Sequence, residues 1–392
     1  MTHLFINALS ASAGGGLTYV RNVLPILSRR RDTRTTLLVG EALRKEFEGF
    51  KDLCVPKESG LASAGGRFCY EQLALPSLIR RARADVLLST GNFALFRSPV
   101  PQILLSRNAL YTSSDSDRDL RERGDYRLWM DTKIKGVLAR WSVQAAECTV
   151  APSETFAAVL RQWSGRSVAA IHHGFNRSGF FRDRVALPPD VEVTLAALQC
   201  DLRVLFVSHY NYYRNFETLI RAMAIVKKRI HPATLRLILT CKIQSEANPG
   251  SYQAESAAAL IERLDLRQEV VELGAVPYPA LHHLYRRCDV YATAAYAETF
   301  AHPLVEAMAS GLPVVASDLP VHREICGPAA MYFPRFSFEQ LAERIIHVSQ
   351  SVQRKTEMRE LGLSRSQDFS WDRHVEQLLG LARHLAKSAS RL

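Results

Sequence analysis

Short runs of apolar residues alternate along the chain with longer stretches in which apolar residues recur at helical spacing. Such runs are typical of buried strands, because a strand covered on both faces is apolar throughout. An order of strand, helix and strand predicts parallel sheets covered by helices. The runs that we predict to be strands are HLFINAL, TTLLVG, DVLLST, PQILLS and CTVAPS in the first half, and RVLFVS, RLILTC, QEVVELG, DVYATAA and PVVASD in the second.

The stretch RSGFFRDRVALPPDVEVTLAALQCD separates the two series and shows no clear periodicity. Because it contains Pro188 and Pro189, we predict that it joins two domains. The expected fold class is α/β, with two Rossmann-like, doubly wound domains facing a central cleft. The predicted boundaries are 1–185 for the first domain, 186–200 for the linker, 201–368 for the second domain, and 369–392 for a C-terminal helix that packs back toward the first.

Composition and charge bear on the number of domains and on the kind of partner that the protein binds. The 392 residues are 47% hydrophobic and 23% charged, as in a globular protein of two domains. Residues 1–185 hold 27 Lys and Arg against 17 Asp and Glu, whereas residues 186–392 hold 23 against 22. The basic half favours an anionic partner, namely a phosphorylated ligand, a membrane surface or nucleic acid, and a plain solvated surface is the alternative.

Cysteine spacing and hydropathy argue against several classes of protein. The seven cysteines form no CxxC pair, which favours reduced thiols over a disulfide framework or a zinc site. The N-terminus lacks a basic segment before its apolar run, and no stretch approaches the length of a membrane span. We expect a cytoplasmic protein, peripheral at the inner face of a membrane.

A glycine triplet, Gly14, Gly15 and Gly16, lies between the first strand and a helix predicted from about Leu17. Amides without side chains at a helix N-terminus approach a phosphate or sugar closely. The spacing is not GxGxxG, and no acid ends a second strand at the dinucleotide-binding distance, which argues against a nicotinamide site. A tight turn without a ligand is the alternative.

Two charged motifs of the first half have competing interpretations. Asp115 and Asp117 have the spacing of a metal-binding DxD, but their place ahead of a charged helix favours helix capping. The following helix interleaves Trp129 and Trp141 with basic residues. An interfacial membrane helix has this pattern, and we favour the alternative of a core helix with one wet face.

The second half carries an arginine and two acids in loops that follow strands. Arg214 follows RVLFVS, where its planar guanidinium suits a diphosphate without a metal, a surface arginine being the alternative. Glu298 follows DVYATAA, and Glu306 lies in the predicted first turn of a helix opened by Pro303, where the macrodipole alone favours an acid. Two carboxylates suit a ribose diol and a sugar ring.

The stretch ETFAHPLVEAMASGLPVVASD resembles the signature of the retaining GT-B glycosyltransferases of family 4, glycosyl transferases group 1: E, seven residues, E, then A-M-A, G and P-V-V. Further similar stretches occur in the expected order: the glycine loop, IHHGFN, SHYNYYRNFETLIRA, ELGAVPYPALHHLYRRCDVYAT and FSWDRHVEQLLGLARHLA. The resemblance covers nearly the whole chain, and the motifs of the second domain are the specific ones.

The resemblance implies a role for each matching residue. Glu306 would bind ribose hydroxyls, Glu298 would hold the donor sugar, and Arg214 would bind the diphosphate. The glycine loop would face the donor phosphate and sugar. Gly274 and Val276 would lie near the base, and His209 would contact the donor beside Arg214. The other donor contacts would be Thr299, Phe300 and Ala301, and the catalytic group would be Glu298, Arg214 and Asn108.

Three departures from the family pattern concern the sugar. Thr299, Phe300 and Ala301 stand where the family has Gly, Phe and Gly, His209 stands where an arginine is common, and Asn108 lies near the place of a frequent histidine. These changes weaken any inference about which sugar is held. Both acids and Arg214 remain, which favours an active subgroup.

The implied activity is transfer, with retention, of a mannose or glucose type sugar from a nucleotide diphosphosugar to a glycan or lipid-linked acceptor. The expected setting is cell-surface polysaccharide or lipopolysaccharide biosynthesis, with no metal cofactor and an anionic membrane surface as a partner. The alternatives are a sugar-nucleotide epimerase, a glycan phosphorylase or a non-catalytic nucleotide-sugar-binding protein. A nucleic-acid partner is not expected, since only charge suggests it.

Overall fold

The computed structural model of the chain describes residues 1–11, 14–56, 63–250 and 252–389. Its strands form two sheets in which every neighbouring pair is parallel. The first sheet contains β1 Thr2–Asn7, β2 Thr33–Leu38, β3 Leu53–Cys54, β4 Val86–Ser89, β5 Gln102–Leu105, β6 Cys148–Ala151 and β7 Val168–Ala170. The second contains β8 Leu202–Phe206, β9 Leu235–Leu239, β10 Val270–Glu272, β11 Val290–Thr293, β12 Val314–Ser317 and β13 Ala330–Phe333.

Helices connect these strands, as parallel pairing requires. In chain order they are α1 Gly14–Ser28, α2 Arg44–Phe47, α3 Ala64–Leu73, α4 Leu75–Ala82, α5 Ser114–Glu122, α6 Tyr126–Ala145, α7 Glu154–Ser164, α8 Arg177–Phe180, α9 Pro189–Ala197, α10 Phe216–Ile230, α11 Glu255–Arg263, α12 Leu281–Arg286, α13 His302–Ala309, α14 Pro320–Cys326, α15 Phe338–Gln350, α16 Val352–Ser366 and α17 Trp371–Ala389. Over the described ranges, no helix is both long enough and apolar enough to cross a membrane.

The strand order reverses at the middle of each sheet. The first sheet runs β3-β2-β1-β4-β5-β6-β7, and the second runs β10-β9-β8-β11-β12-β13. The connections that leave β1 and β4, or β8 and β11, therefore diverge at the carboxyl edge of their sheet and open a crevice there. The predicted fold class, α/β with two Rossmann-like domains, is confirmed.

All ten predicted strands are present, and the three that the sequence analysis missed are edge strands. They are β3, β7 and β13, which contain between two and four residues each. Each is a run of only two to four apolar residues, LC, VAA and AMYF. So short an apolar run does not separate a strand from a helix or a loop by its periodicity, and the sequence therefore offers no usable signal.

Contacts among the residues group the chain into two units. The first consists of Met1–Thr112, Met130–Gly174 and Ser370–Leu392, and the second of Ser113–Trp129 and Phe175–Phe369. The predicted boundaries differ from this division, because residues 113–129 and 175–185 group with the second unit. The predicted linker also contains helix α9, whose Val191 and Leu195 pack in the core of the second unit. Pro188 and Pro189 open this helix, a position where a missing amide proton costs nothing.

Helix α17 packs within the first unit, against α1. The indole of Trp371 stacks on the ring of His173 at 5.3 Å and meets the ring of Tyr19 edge-on at 5.7 Å. The hydroxyl of Tyr19 lies 3.0 Å from Nε2 of His374, whose Nδ1 lies 2.9 Å from the carbonyl oxygen of His172. Burial lowers the pKa of His374 to about 4, so this histidine is neutral at pH 7.

Because Gly174 has no side chain, the start of α17 packs directly against its backbone. A Cβ atom at Gly174 would overlap the backbone nitrogen of Trp371 and lie 2.5 Å from its Cα. Backbone atoms cannot swing aside as a flexible side chain does, so α17 would have to move. We predict that Gly174→Ala lowers the free energy of unfolding by at least about 2 kcal/mol.

Denaturant unfolding of the purified variant measures this loss. Gly40→Ala is the matched control, because Gly40 has a φ of −73° and a Cβ added there would meet no atom within 4 Å. Its unfolding curve should stay close to that of the wild type. Equal midpoints for Gly174→Ala and the wild type would contradict the packing described for α17.

Candidate nucleotide-sugar site

Two loops at the middle of the second sheet bring a positive and a negative side chain together. The connection from β8 to α10 carries Arg214, and the connection from β11 to α13 carries Glu298. The side chain of Asn211 accepts a hydrogen bond from the backbone nitrogen of Arg214 at 3.0 Å and so holds the short turn before the arginine. The guanidinium Nη1 of Arg214 forms an ion pair with the carboxylate of Glu298, and these side chains are only 19% and 10% exposed.

Two hydrogen-bond donors beside this ion pair are buried without a partner. Among the described residues, neither Nε of Arg214 nor Nδ2 of Asn215 has an acceptor. Asn215 caps α10, since its Oδ1 accepts from the backbone nitrogen of Thr218 at 3.4 Å. Unpaired buried donors at the N-terminus of a 15-residue helix form a site that suits an anion. The sequence analysis missed Asn215, whose place directly after Arg214 and before a helix was the available signal.

Glu306 occupies a different position from the one expected. Helix α13 begins at His302, so Glu306 is its fifth residue and lies beyond the first turn, where the macrodipole acts most strongly. Its side chain is buried, and the hydroxyl of Tyr285 donates to Oε2 at 2.8 Å. Its other oxygen, Oε1, has no hydrogen-bond partner among the residues that the structure describes. The prediction of a first-turn acid is therefore wrong, and burial dominates the chemistry of this carboxyl.

Burial raises the pKa of Glu306 to about 7, and the hydrogen bond from Tyr285 offsets only part of that rise. Near neutral pH the carboxyl is thus divided between its protonated and ionised forms. Tyr291 lies within electrostatic reach of both Arg214 and Glu306, which places the two groups in one region of the second unit. Tyr285 was also missed by the sequence analysis, because nothing in its own motif marks the carboxyl 21 residues later.

The residues after Glu298 explain one departure from the family pattern. Phe300 is buried, and its ring meets that of Phe369 edge-on at 5.4 Å. Ala301 has a φ of 63° and a ψ of 66°, a left-handed conformation that glycine adopts without strain. The backbone therefore keeps the shape of a glycine although a methyl group is present. Thr299 lies between Glu298 and Phe300 and is half-buried.

The remaining predicted donor contacts of the second unit lie in loops after β8 and β10. The ring of His209 is partly exposed, and its pKa is lowered first by partial burial and then by the charge of Arg214. Gly274 has a φ of 79°, a conformation that favours glycine. Val276 is half-buried against the core of the second unit. The roles of these three residues in binding remain predictions.

The glycine triplet and Asn108 belong to the first unit. Gly14, Gly15 and Gly16 are the first three residues of α1, so the helix begins three residues earlier than predicted. Arg107 is half-buried beside them, and its Nη1 donates to the carbonyl oxygen of Gly15 at 2.9 Å. The Oδ1 of Asn108 accepts from the backbone nitrogen of Leu110 at 3.0 Å and caps a short 3-10 turn.

The acids of the DxD-like motif are held by cations of the protein. Ser113 caps α5, and Asp115 and Asp117 lie in its first turn. Asp115 pairs with Arg335 at 2.7 Å, and Asp117 pairs with Arg121 at 3.0 Å. This agrees with the capping interpretation. Over the described part of the chain, no three His, Cys, Asp or Glu side chains form a group able to hold a metal ion.

Comparison with known proteins assigns the second unit. Residues 198–364 match the sequence profile of the family described as glycosyl transferases group 1. Residues 198–364 are a glycosyl transferases group 1 domain. In this transferase domain, the matched range contains Arg214, Glu298, Glu306 and Tyr285, together with the strands β8 to β13 that position them.

A curated relative agrees with this assignment, and two solved structures share the fold. D-inositol 3-phosphate glycosyltransferase of Corynebacterium aurimucosum is 29% identical over 45% of this chain and only 41% of its own length. Sucrose-phosphate synthase of Thermosynechococcus elongatus superimposes with a TM-score of 0.77 at 17% identity, over 99% of this chain and 100% of its own. Anabaena HepE in complex with UDP-glucose superimposes with a TM-score of 0.69 at 21% identity, over 100% of both chains. The fold is that of GT-B glycosyltransferases.

The left-handed conformation of Ala301 leads to a first prediction for the site. Ala301→Gly removes the close approach of Cβ to the backbone, which costs about 1–2 kcal/mol, and adds about 0.5–1 kcal/mol of chain entropy to the unfolded state. We expect the variant to be more stable by about 0.5–1 kcal/mol in denaturant unfolding. Ala64→Gly, in the first turn of α3, is the control and should lose stability. A loss of stability in both variants would contradict the strain at Ala301.

The raised pKa of Glu306 leads to a second prediction, with a definite sign. Its folded-state pKa of about 7 exceeds the unfolded value of 4.5, so the folded protein retains a proton that the unfolded chain releases. Ionising the buried carboxyl therefore costs stability, which is fully retained below about pH 4.5 and lost progressively as the pH rises toward 7. Glu306→Gln carries no such cost. Its free energy of unfolding should exceed that of the wild type by about 3 kcal/mol near pH 8, and by little near pH 5.

Urea unfolding at both pH values measures this difference. Glu246→Gln serves as the control, since Glu246 is exposed and its substitution should leave the pH dependence of the wild type unchanged. A difference between Glu306→Gln and the wild type that is the same at both pH values would show that ionisation of Glu306 is not its cause.

Proposed function

We propose that the protein is a retaining glycosyltransferase that moves a mannose or glucose type sugar from a nucleotide diphosphosugar to a glycan or lipid-linked acceptor. The proposed setting is cell-surface polysaccharide or lipopolysaccharide biosynthesis at the inner face of a membrane. One observation carries the proposal: Arg214, whose buried Nε has no partner among the described residues, lies against Glu298 in a glycosyl transferases group 1 domain. A cation poised beside an acid suits a donor that presents both a phosphate and sugar hydroxyls.

The proposed role of Arg214 and Asn215 is to hold the diphosphate. The guanidinium and the amide Nδ2 supply donors that lack partners in the protein, and the N-terminus of α10 adds its partial positive charge. As the bond to the sugar breaks, negative charge grows on the departing phosphate oxygen. Donors already fixed in place stabilise that charge without reorganising. Under this proposal the protein supplies the positive charge itself, and no metal ion is needed.

Glu298 is proposed to orient the sugar. Its carboxylate, already fixed by Arg214, accepts hydrogen bonds from ring hydroxyls and sets the anomeric carbon toward the phosphate. In a retaining transfer the acceptor hydroxyl attacks from the face that the diphosphate leaves, and the departing phosphate oxygen takes up the acceptor proton. Glu298 then acts by position and charge, with no covalent bond to the sugar.

Glu306 is proposed to recognise the ribose. Tyr285 already occupies Oε2, so a diol would donate to Oε1 and complete the hydrogen bonding of the buried carboxyl. Donation from two hydroxyls favours the ionised form, and the pKa of about 7 means that ionising it near neutral pH costs little. Binding of the nucleotide would therefore offset the free energy that the buried carboxyl costs the unliganded protein.

The test is a thermal-shift panel of UDP, GDP, dTDP and ADP and their sugars, in excess EDTA, on the wild type and on Glu306→Ala. We expect one diphosphate to raise the unfolding temperature of the wild type by several degrees. Because the variant lacks the acceptor for the ribose, that rise should fall to near zero. Glu246→Ala is the matched control and should keep the full response. Product analysis with the active donor then separates transfer from epimerisation or phosphorolysis.

Each outcome of the panel has a separate meaning. The panel is repeated with Mg²⁺ in place of EDTA, and stabilisation that appears only in that repeat would overturn the metal-independent proposal while leaving a nucleotide site in place. Binding without any product would favour the non-catalytic nucleotide-sugar-binding protein. No response to any nucleotide, in a wild type that unfolds cooperatively, would overturn the proposed function.

A further inference from the structure

Helix α6 has four large apolar side chains in a row on the solvent side. Met130, Ile134, Val137 and Trp141 are each between 50% and 56% exposed and follow one another at intervals of three or four residues. This spacing places them on one face, which we name the apolar stripe. The residues buried on the opposite side of α6 are small: Gly136, Ala139, Ser142 and Val143.

This arrangement reverses the usual amphipathic helix, in which the large apolar residues face the core. The sequence pattern favours a core helix with one wet face. That interpretation fails for Trp141, which is 53% exposed. It holds better for Trp129, whose Nε1 donates to Asp117 at 2.8 Å. An exposed contiguous apolar face of this kind indicates that something other than water covers it.

The charges along α6 indicate which kind of partner covers the apolar stripe. Lys133 and Arg140 lie seven residues apart on one edge of the apolar stripe and are exposed. The single acid of the helix, Asp131, pairs with Lys135 at 2.6 Å, so its charge is neutralised locally. The first unit as a whole holds 24 Lys and Arg against 13 Asp and Glu, a balance of +11, whereas the second unit holds 26 against 26. All of the net charge of the protein is thus in the unit that presents the stripe.

We propose that the apolar stripe of α6 docks on an anionic lipid surface. The four side chains would lie at the boundary between headgroups and acyl chains, where an indole is well accommodated, and Lys133 and Arg140 would contact lipid phosphates. Such docking rests on the proposed function, because an enzyme whose acceptor is carried by a membrane must reach that membrane. Docking itself requires no turnover and is measured separately.

The size of the stripe favours a membrane over a second copy of the chain. Side chains of about 200 Å² that are half exposed offer about 400 Å² in total, half of the roughly 800 Å² per partner that a stable protein interface buries. A lipid surface sets no such minimum, because apolar insertion and electrostatic attraction from the whole basic unit add together. The basic charge of the unit would also repel an identical unit.

The experiment is co-sedimentation of the full chain with vesicles of phosphatidylcholine alone or mixed with phosphatidylglycerol, at low and high salt. The wild type should bind the anionic vesicles strongly and the neutral ones weakly. The triple variant Ile134→Ser, Val137→Ser, Trp141→Ser should lose at least tenfold in partitioning. The control, Val193→Ser with Val352→Ser, removes side chains that are 70% and 75% exposed on the other unit and should bind as the wild type does.

A charge series tests the second half of the inference. Each cation near an anionic surface contributes about fivefold in binding, so Lys133→Gln with Arg140→Gln should lose about 25-fold at low salt and little at high salt. Lys228→Gln with Arg263→Gln removes two exposed cations from the second unit and is the matched control. Circular dichroism and thermal unfolding check that each variant is folded.

The outcomes separate this inference from the proposed function. Unchanged vesicle binding in the triple variant overturns the docking face. Loss of a dimer in that variant, measured by light scattering, together with no vesicle binding by the wild type, overturns the inference in favour of self-association. Nucleotide binding without vesicle binding overturns the docking inference alone, and vesicle binding without any nucleotide response leaves docking in place and overturns the proposed function.

Discussion

Parallel pairing of the strands is the constraint on which the rest of the structure depends. When all strands of a sheet run the same way, every connection must cross back over a face, and every loop that follows a strand emerges at the same edge. In the second sheet, β8 and β11 are neighbours whose connections diverge, so Arg214 and Glu298 meet although they are 84 positions apart in the chain. The contact of a cation with an acid at this place is thus a consequence of topology.

Several residues around this ion pair have protonation, hydrogen-bonding or backbone states that are unfavourable in the protein without a ligand. A buried carboxyl with a pKa of about 7, two buried donors without acceptors and an alanine in a left-handed conformation each cost free energy in the unliganded chain. A core built only for stability would contain none of them. They are concentrated in and beside the loops that follow β8 and β11, where the proposed ligand, with its negative charge and hydroxyl groups, would complete their hydrogen bonding.

The first unit differs from the second in its net charge, and the specific family motifs lie in the second unit. Its core is built on the same principle, a parallel sheet covered by helices, but it carries the whole net charge of the chain and an exposed apolar face on α6. A division of labour follows in the proposal: the neutral unit holds the nucleotide-sugar, and the basic unit meets an acceptor that is anionic or lies at an anionic surface. The apolar stripe extends this proposal by naming the face that makes the contact.

The sequence by itself determined the fold class, the central strands and the identities of Arg214, Glu298 and Glu306, because local hydrophobic periodicity and strand-to-helix loops are encoded within short segments. It did not reveal the short strands β3, β7 and β13, the helical nature of 189–197 or the grouping of 113–129 with the second unit, since these depend on contacts between distant segments. Only the tertiary structure decided that Glu306 is buried against Tyr285, that Asn215 keeps an unpaired donor and that Trp141 faces solvent. A helical pattern states which residues share a face, whereas the rest of the fold decides whether that face meets the core or the water.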